Sequence, residues 1–324
     1  MLENKKVLVT GGAGFIGSNI TEKLLSQGNT VICLDNFSTG KRENIATFLD
    51  NPNYTLIEGD IRDLANCNQA VKGVDVILHQ AALGSVPRSI KDPITTNSVN
   101  ITGFLNMLVA AKDNGVKRFV YAASSSTYGD SMQLPKVEEN IGSPLSPYAV
   151  TKYVNELYAK VFSSLYGLET IGLRYFNVYG RRQDSEGAYA AAIPKFIKAY
   201  MNYEAPTIHG DGTQTRDFTY IDNVIQANEL AATTTNRDAL NKVYNVACGE
   251  ETVLIDLLDK IKELLVRFDE KIKDVSPVHI PERQGDVRYS LASIEKAKRY
   301  LGYRPSHTFN QGLEEAIEWY WNNL

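Results

Sequence analysis

The chain has 324 residues, 43% apolar and 22% charged, with 34 basic against 38 acidic side chains and a net charge of −4. At roughly 150 residues per domain that is about two domains, or one large α/β domain with an appended lobe. The balanced charge offers no broad cationic face, which argues against nucleic acid or an anionic membrane as principal partner.

The elements alternate from the start. Residues 6–9 form a short apolar run, followed by glycines and an amphipathic stretch over 16–25. Residues 31–34, 54–57 and 74–79 predict the next three strands, helical spacing covers 100–114, and 118–123 is a fifth strand. A long helix is expected over 148–165 and a sixth strand over 170–174. Strands separated by helices give right-handed crossovers and a doubly wound parallel sheet of the α/β class. After residue 180 turns interrupt shorter helices, so the boundary is placed there: 1–180 holds the parallel sheet and 181–324 a smaller mixed α/β lobe. Some of the lobe's segments are expected to return and pack on the first domain. Asp222 and Ser290 read as helix N-caps, and 314–320 as a closing amphipathic helix. The longest apolar run, 188–193, is too short to span a bilayer, and the opening Met1-Leu2-Glu3-Asn4 does not read as a signal peptide. Cys33, Cys67 and Cys248 lack disulfide or zinc spacing, so they read as buried hydrophobes of a reducing cytoplasm, and no metal is expected.

Thr10-Gly11-Gly12-Ala13-Gly14-Phe15-Ile16-Gly17 lies between the first strand and the first helix. Glycines there allow a tight turn and close approach of a pyrophosphate to a helix N-terminus, as in Rossmann-type dinucleotide sites. Asp35 ends the second strand, where a carboxylate holds a ribose diol and repels a 2′-phosphate. NAD is therefore the expected cofactor, although Lys41 and Arg42 stand close enough to leave a 2′-phosphate open. A glycine-rich structural turn with an Asp cap is the plainer alternative. Asp60-Ile61 after the third strand and Gln80-Ala81-Ala82 after the fourth share the same strand-end position.

Ser124-Ser125-Ser126 ends the fifth strand, and Tyr148 and Lys152 open the long helix on one face. A tyrosine titrating near 10 is a poor base at neutral pH, but a lysine ammonium and an oxidised nicotinamide both favour phenolate. A Tyr/Lys pair on a helix is often surface decoration. Here it follows a dinucleotide fingerprint and a serine-rich strand end.

With these motifs the chain resembles the extended short-chain dehydrogenase/reductase family, and within it the nucleotide-sugar 4-epimerases, closest to the bacterial UDP-N-acetylglucosamine group. The stretches that carry the likeness are 79–89, 174–183 (Arg-Tyr-Phe-Asn-Val-Tyr-Gly-Arg-Arg-Gln), Arg216-Asp217-Phe218 and Arg283-Gln284-Gly285-Asp286. The resemblance implies tightly bound NAD held by Gly11, Gly14, Phe15, Ile16, Gly17, Asp35, Asn36, Asp60, Ile61, Gln80, Ala81, Ala82, Asn97, Tyr148, Lys152 and Tyr175. Tyr148 would be the base, Lys152 its electrostatic partner and Ser124 the catalytic hydroxyl, with Ser125 and Ser126 facing the sugar. A UDP-sugar would be the ligand, with Arg216 and Arg283 on its diphosphate, Asp286 on the uridine ribose, Asn177 on the phosphate or hexose, and 206–209, Ile208 included, along uracil. His209 is as readily a loop histidine.

Related dehydratases and decarboxylases carry an acidic residue where this chain has Ser125 and Ser126, which argues against elimination of water. The resemblance also implies a pocket wall at Ser290, Gly84, Asn177, Gln183 and Ala191, where small Ser290, Gly84 and Ala191 would leave room for an N-acetyl group, and it sets Ser85 among the substrate contacts. The resemblance thus points to reversible 4-epimerisation of UDP-GlcNAc and UDP-GalNAc for polysaccharide precursors. UDP-glucose/galactose or uronate epimerases stand as alternatives, a dehydratase or a non-enzymatic NAD-binding regulator further off. A homodimer through the helices over 100–114 and 148–165 is the expected assembly.

Overall fold

The computed structural model describes residues 2–184, 191–281 and 288–324. Among them, seven parallel strands form one sheet: β1 (Lys6–Thr10), β2 (Thr30–Asp35), β3 (Tyr54–Glu58), β4 (Val76–His79), β5 (Arg118–Ser124), β6 (Glu169–Tyr175) and β7 (Lys242–Val246). Their order is β7-β6-β5-β4-β1-β2-β3. The strands are nearly continuous apolar runs because helices cover both faces. Side chains still alternate between layers. Val7, Val9, Val31 and Cys33 enter one core, whereas Leu8, Ile32 and Leu34 enter the other.

Strand β1 pairs with β2 on one side and β4 on the other. The chain therefore grows outward through β3 and then crosses back, opening a crevice beyond the carboxyl ends of β1 and β4, the usual ligand position in such sheets. Helix α1 (Phe15–Ser26) starts at that crevice. Helix α2 (Phe104–Asp113) continues a π-helical turn over Ser98–Gly103. Helix α3 (Pro147–Tyr166) begins on a Ser146 cap, whose hydroxyl accepts from the Ala149 amide at 3.2 Å, and ends on left-handed Gly167.

The seventh strand comes from beyond residue 180, and α4 (Ile221–Thr233) packs on α1 and on β4, β5 and β6. The rest of the C-terminal part is built from short pairs: Val178–Tyr179 with Thr219–Tyr220, Thr215–Arg216 with Thr252–Val253, and Thr207–His209 with Val278–Ile280. The closing helix α5 (Phe309–Asn323) is longer than the 314–320 segment and starts on a Thr308/Gln311 capping box.

Two expected caps are corrected. Tyr220 occupies the N-cap of α4, and Asp222 lies in its first turn, where it suits the helix dipole and pairs with Arg181 at 2.8 Å. Ser290 precedes no helix; the next one, Glu295–Leu301, has Ile294 at its N-cap. All three cysteines are free and buried, and burial pushes each thiol up to about 12. Among the described residues no helix is long and apolar enough to cross a membrane.

Candidate active site and cofactor cleft

The glycine turn is fixed by close contacts that only glycine permits. Gly11 has φ +68°, and a Cβ there would lie 2.8 Å from the Ala81 amide nitrogen. A Cβ on Gly17 would lie 2.1 Å from the Gly11 carbonyl oxygen. Thr10 ties the two strand ends together: its hydroxyl meets His79 Nδ1 at 2.8 Å and accepts from the Ala81 amide at 3.2 Å. His79 is wholly buried, and desolvation pushes it down to about 3, so it stays neutral.

Asp35 is buried, with Oδ2 accepting from the Ala13 amide at 2.9 Å and Oδ1 from the Phe37 amide at 2.8 Å. Burial raises its pKa and the amides oppose that shift. Each carboxylate oxygen retains a second lone pair for a ribose hydroxyl. Lys41 and Arg42 are both engaged, Lys41 with Asp184 at 2.9 Å and Arg42 with both oxygens of Glu58 at 2.8 and 2.9 Å. The cradle therefore favours a free 2′-hydroxyl. Asp60 is held at about 2, first by Arg62, and accepts from the Asn36 amide at 2.8 Å.

Gly11, Gly14, Phe15, Ile16, Gly17, Asp35, Asn36, Asp60, Ile61, Gln80, Ala81, Ala82 and Gly84 line one cleft of about 300 Å³. Gln80 is fixed by Tyr175, whose hydroxyl donates to it at 3.1 Å, and by Asn228, whose carbonyl accepts from it at 3.1 Å. Asn228 also donates to the Tyr175 hydroxyl at 2.9 Å, closing the ring. Nothing in the local sequence marked Asn228, because it arrives from α4 in the C-terminal half. Asn97 is exposed, whereas buried Asn100, one turn on, donates to the Leu83 carbonyl and accepts from its amide. The strand-end turn, its glycines and the engaged carboxylates fit NAD.

Ser124 ends β5 and accepts from the amide and the hydroxyl of Ser126, at 3.2 and 2.8 Å. Tyr148 sits in the first turn of α3, where the helix dipole favours a phenolate. Lys152, 4% exposed, donates to the Ala122 carbonyl at 2.8 Å and lies 5.9 Å from the Tyr148 ring centroid. Burial lowers Lys152 to about 8. Burial also raises Tyr148, with the hydrogen bond to Ser124 acting the other way. In the protein alone desolvation therefore sets the direction, and the expected lowering by Lys152 and an oxidised nicotinamide belongs to the loaded site. One turn beyond Lys152, Glu156 accepts two bonds from Arg174, at 2.8 and 2.7 Å. This buried fork on β6 fixes the rotation of the helix that presents Tyr148.

A second cavity of about 350 Å³ shares Gly14, Phe15 and Gly84 with the first and adds Ser85, Arg88, Gln183 and Ala191. A third, of about 550 Å³, shares Ala191 with the second and is walled by Asn177, Pro206, Thr207, His209 and Arg216. Shared lining residues set the three cavities next to one another, from the glycine turn into the lobe. Ser85 and Asn177 both have positive φ, +92° and +32°, the kind of strain that collects at functional sites. The Gln183 amide donates to the Val178 carbonyl and accepts from the Tyr320 hydroxyl, so α5 holds it in place.

Ile208 offers no side chain to the cavity: strand alternation turns Thr207 and His209 outward and Ile208, fully buried, into the core. Ser290 is half-buried and absent from the third cavity's lining. Arg283 and Asp286 lie outside the described residues.

Comparison with known proteins accords with this geometry. The profile of the NAD dependent epimerase/dehydratase family matches residues 7–247. A UDP-N-acetylglucosamine 4-epimerase from Methanobrevibacter ruminantium, solved with UDP-N-acetylmuramic acid, is 38% identical over 100% of both chains with a TM-score of 0.91. A Thermotoga maritima UDP-glucose 4-epimerase solved with UDP-glucose is 36% identical over 98% of this chain and 99% of its own, TM-score 0.90. A Bacillus cereus UDP-glucuronic acid 4-epimerase, solved with UDP-glucuronic acid and NAD, is 31% identical over 98% of this chain and 100% of its own, TM-score 0.87. With the glycine cradle, the Ser124–Tyr148–Lys152 group and these matches together, the chain belongs to the NAD dependent epimerase/dehydratase family, and its cofactor is NAD.

Proposed function

We propose that the protein interconverts UDP-GlcNAc and UDP-GalNAc by inverting sugar carbon 4 through a 4-keto intermediate. The observation that carries this reading is the pairing of Tyr148, in the first turn of α3, with Ser124 at the carboxyl end of β5, with serines and no carboxylate at 125 and 126. When bound, NAD supplies a nicotinamide ring that can take a hydride from the sugar and return it. Tyr148 takes the proton of the 4-hydroxyl and later gives it back, while Ser124 holds the reacting oxygen. Lys152, lowered only to about 8, keeps enough positive charge near pH 7 to steady the phenolate. Arg216 and Asn177 face the diphosphate end, so the sugar can turn about that anchor between proton removal and return.

Gly84 faces open space and Ala191 is exposed on the path between cavities, which leaves room for an acetamido group. The similarity to a UDP-N-acetylglucosamine 4-epimerase supports the same choice, whereas the likeness to UDP-glucose and UDP-glucuronic acid epimerases keeps those sugars as the competing substrates. A panel of UDP-sugars tests it. The kcat/KM for UDP-GlcNAc and UDP-GalNAc is expected to exceed that for UDP-glucose and UDP-glucuronate. The reverse order would overturn the substrate choice while leaving epimerisation intact.

The working unit in this proposal is a homodimer built on α2 and α3. Val150, Leu157, Val161 and Leu165 form an exposed apolar stripe along α3, an unusual surface for a helix facing water. Leu157→Glu with Val161→Glu is expected to give a monomer in light scattering; an unchanged mass would rule out that interface.

A further inference from the structure

Asp217 is a carboxylic acid that the chemistry above does not use, and it is fully buried. Among the described residues its oxygens are met by backbone amides rather than by a cation. Oδ1 accepts from Cys248 at 3.0 Å, and Oδ2 from Gly249 at 3.1 Å and Ala292 at 3.2 Å. Its own carbonyl accepts from the Asn177 side chain at 2.9 Å. Arg216, the neighbouring residue, donates to the Arg288 carbonyl at 3.4 Å, and the Thr215 amide donates to the same oxygen at 3.0 Å. Three distant stretches of chain therefore converge here: the strand with Arg216, the turn after β7, and the strap 288–292.

We propose that Asp217 is a positioning residue for nucleotide-sugar binding: as a carboxylate it draws the 248–249 turn and the 291–292 strap together and fixes Arg216 and Asn177 toward the diphosphate. The claim rests on reading that lobe as the nucleotide-sugar site. A buried carboxylate held by backbone amides is costly, since the amides offset only part of its lost hydration. Burial accordingly pushes Asp217 up to about 7, the three amides act against that, and Glu250 adds like charge. The other groups facing it do not change charge near pH 7: the Cys248 thiol is raised to about 12 and the Tyr303 phenol well above its usual range.

The sign follows directly. A carboxyl raised in the folded protein contributes stability below its unfolded value and loses it as pH rises through about 7. The ionised form is thus less favourable for folding, yet it is the form able to accept all three amides. As pH falls through about 7 one oxygen becomes a donor, an amide loses its acceptor and the strap loosens. Nucleotide affinity should fall with it, while the pH dependence of the chemical step, set by Tyr148 and Lys152, is common to wild type and variant and cancels in their ratio.

The test compares holoenzyme and Asp217→Asn from about pH 6 to about pH 8, on either side of this titration. For the wild type KM is expected to rise toward acid while kcat stays level in the ratio to Asp217→Asn. At about pH 8 the variant is expected to show KM raised roughly tenfold, kcat within about twofold, and no further rise toward acid. A wild-type KM that does not depend on pH, or a variant that keeps the wild-type KM profile, overturns the inference even if the variant folds poorly. Failure of the wild type to turn over any UDP-sugar would instead defeat the functional reading. Amide exchange then decides the anchor by itself. The 248, 249 and 292 amides should exchange at least about tenfold faster in Asp217→Asn at equal pH, and unchanged protection would overturn it.

Discussion

In the proposed function the cofactor half and the C-terminal lobe each have an anionic ligand to hold, and they offer different means of doing so. In the first, the backbone does it: a glycine turn, a helix N-terminus and strand ends that a single parallel sheet keeps in register. In the second, under the proposed function, that work falls to side chains: Arg216 and Asn177 stand on short strands and loops, and Asn177 donates to the Asp217 carbonyl. The first kind of site is intolerant of added bulk and nearly indifferent to which polar side chains surround it. The second should tolerate bulk better and lose affinity in single-residue steps.

Substitutions can break or sharpen that contrast. The largest effect is expected at the point where the halves meet. Tyr148→Phe should lower kcat by about a thousandfold or more, the upper part of what a positioned acid–base contributes. UDP affinity by calorimetry should change little, and a large loss of UDP binding would contradict the assigned role. Gly17→Ala places a methyl 2.1 Å from the Gly11 carbonyl, with no flexible side chain to yield. Retained NAD, measured after denaturing the purified protein, should drop by about ten- to a hundredfold, matching the cost of overpacking a rigid contact. Normal NAD content would mean that the turn can open. Arg216→Ala should raise KM for the UDP-sugar by about tenfold or more, the value of a charge-assisted hydrogen bond, with NAD content untouched. Equal loss of both ligands would erase the distinction between the halves. Ser290→Tyr is expected to act least, lowering kcat/KM for N-acetylated sugars by a few-fold to about tenfold relative to UDP-galactose. Equal loss on both would show that this position does not gate the sugar.

The same contrast explains what the amino-acid sequence disclosed. The sheet half is written in contiguous signals, so β1 to β6, the glycine turn, Asp35 and the Ser124–Tyr148–Lys152 group were all legible, each lying next to a strand end. Strand β7 was not, since Lys242-Val243-Tyr244-Asn245-Val246 is short and polar-edged and joins β6 only through a long-range parallel register. Asn228 escaped for a related reason: its partners, Gln80 and Tyr175, come from other strands. Asn97 and Asn100 are one turn apart, and only burial separates the exposed one from the one that grips Leu83. Strand parity turns the Ile208 side chain into the core, a direction that a three-residue strand hardly reveals. Asp217 sat inside a quoted motif with no role, because its amide partners lie 31, 32 and 75 residues away. Burial of Tyr148, which raises its pKa in the protein alone, is likewise a matter of packing that the local sequence does not show.

The central claim is that this protein inverts one carbon with no net oxidation, using NAD it already holds. The most direct measurement supplies UDP-GlcNAc carrying deuterium at sugar carbon 4 to the purified protein with no added cofactor, and reads the products by NMR and mass spectrometry. The account predicts UDP-GalNAc with deuterium still on carbon 4 and no net change in NAD. Loss of the label to solvent, a product that accumulates only with stoichiometric NAD+, or a product dehydrated at the sugar ring would contradict it.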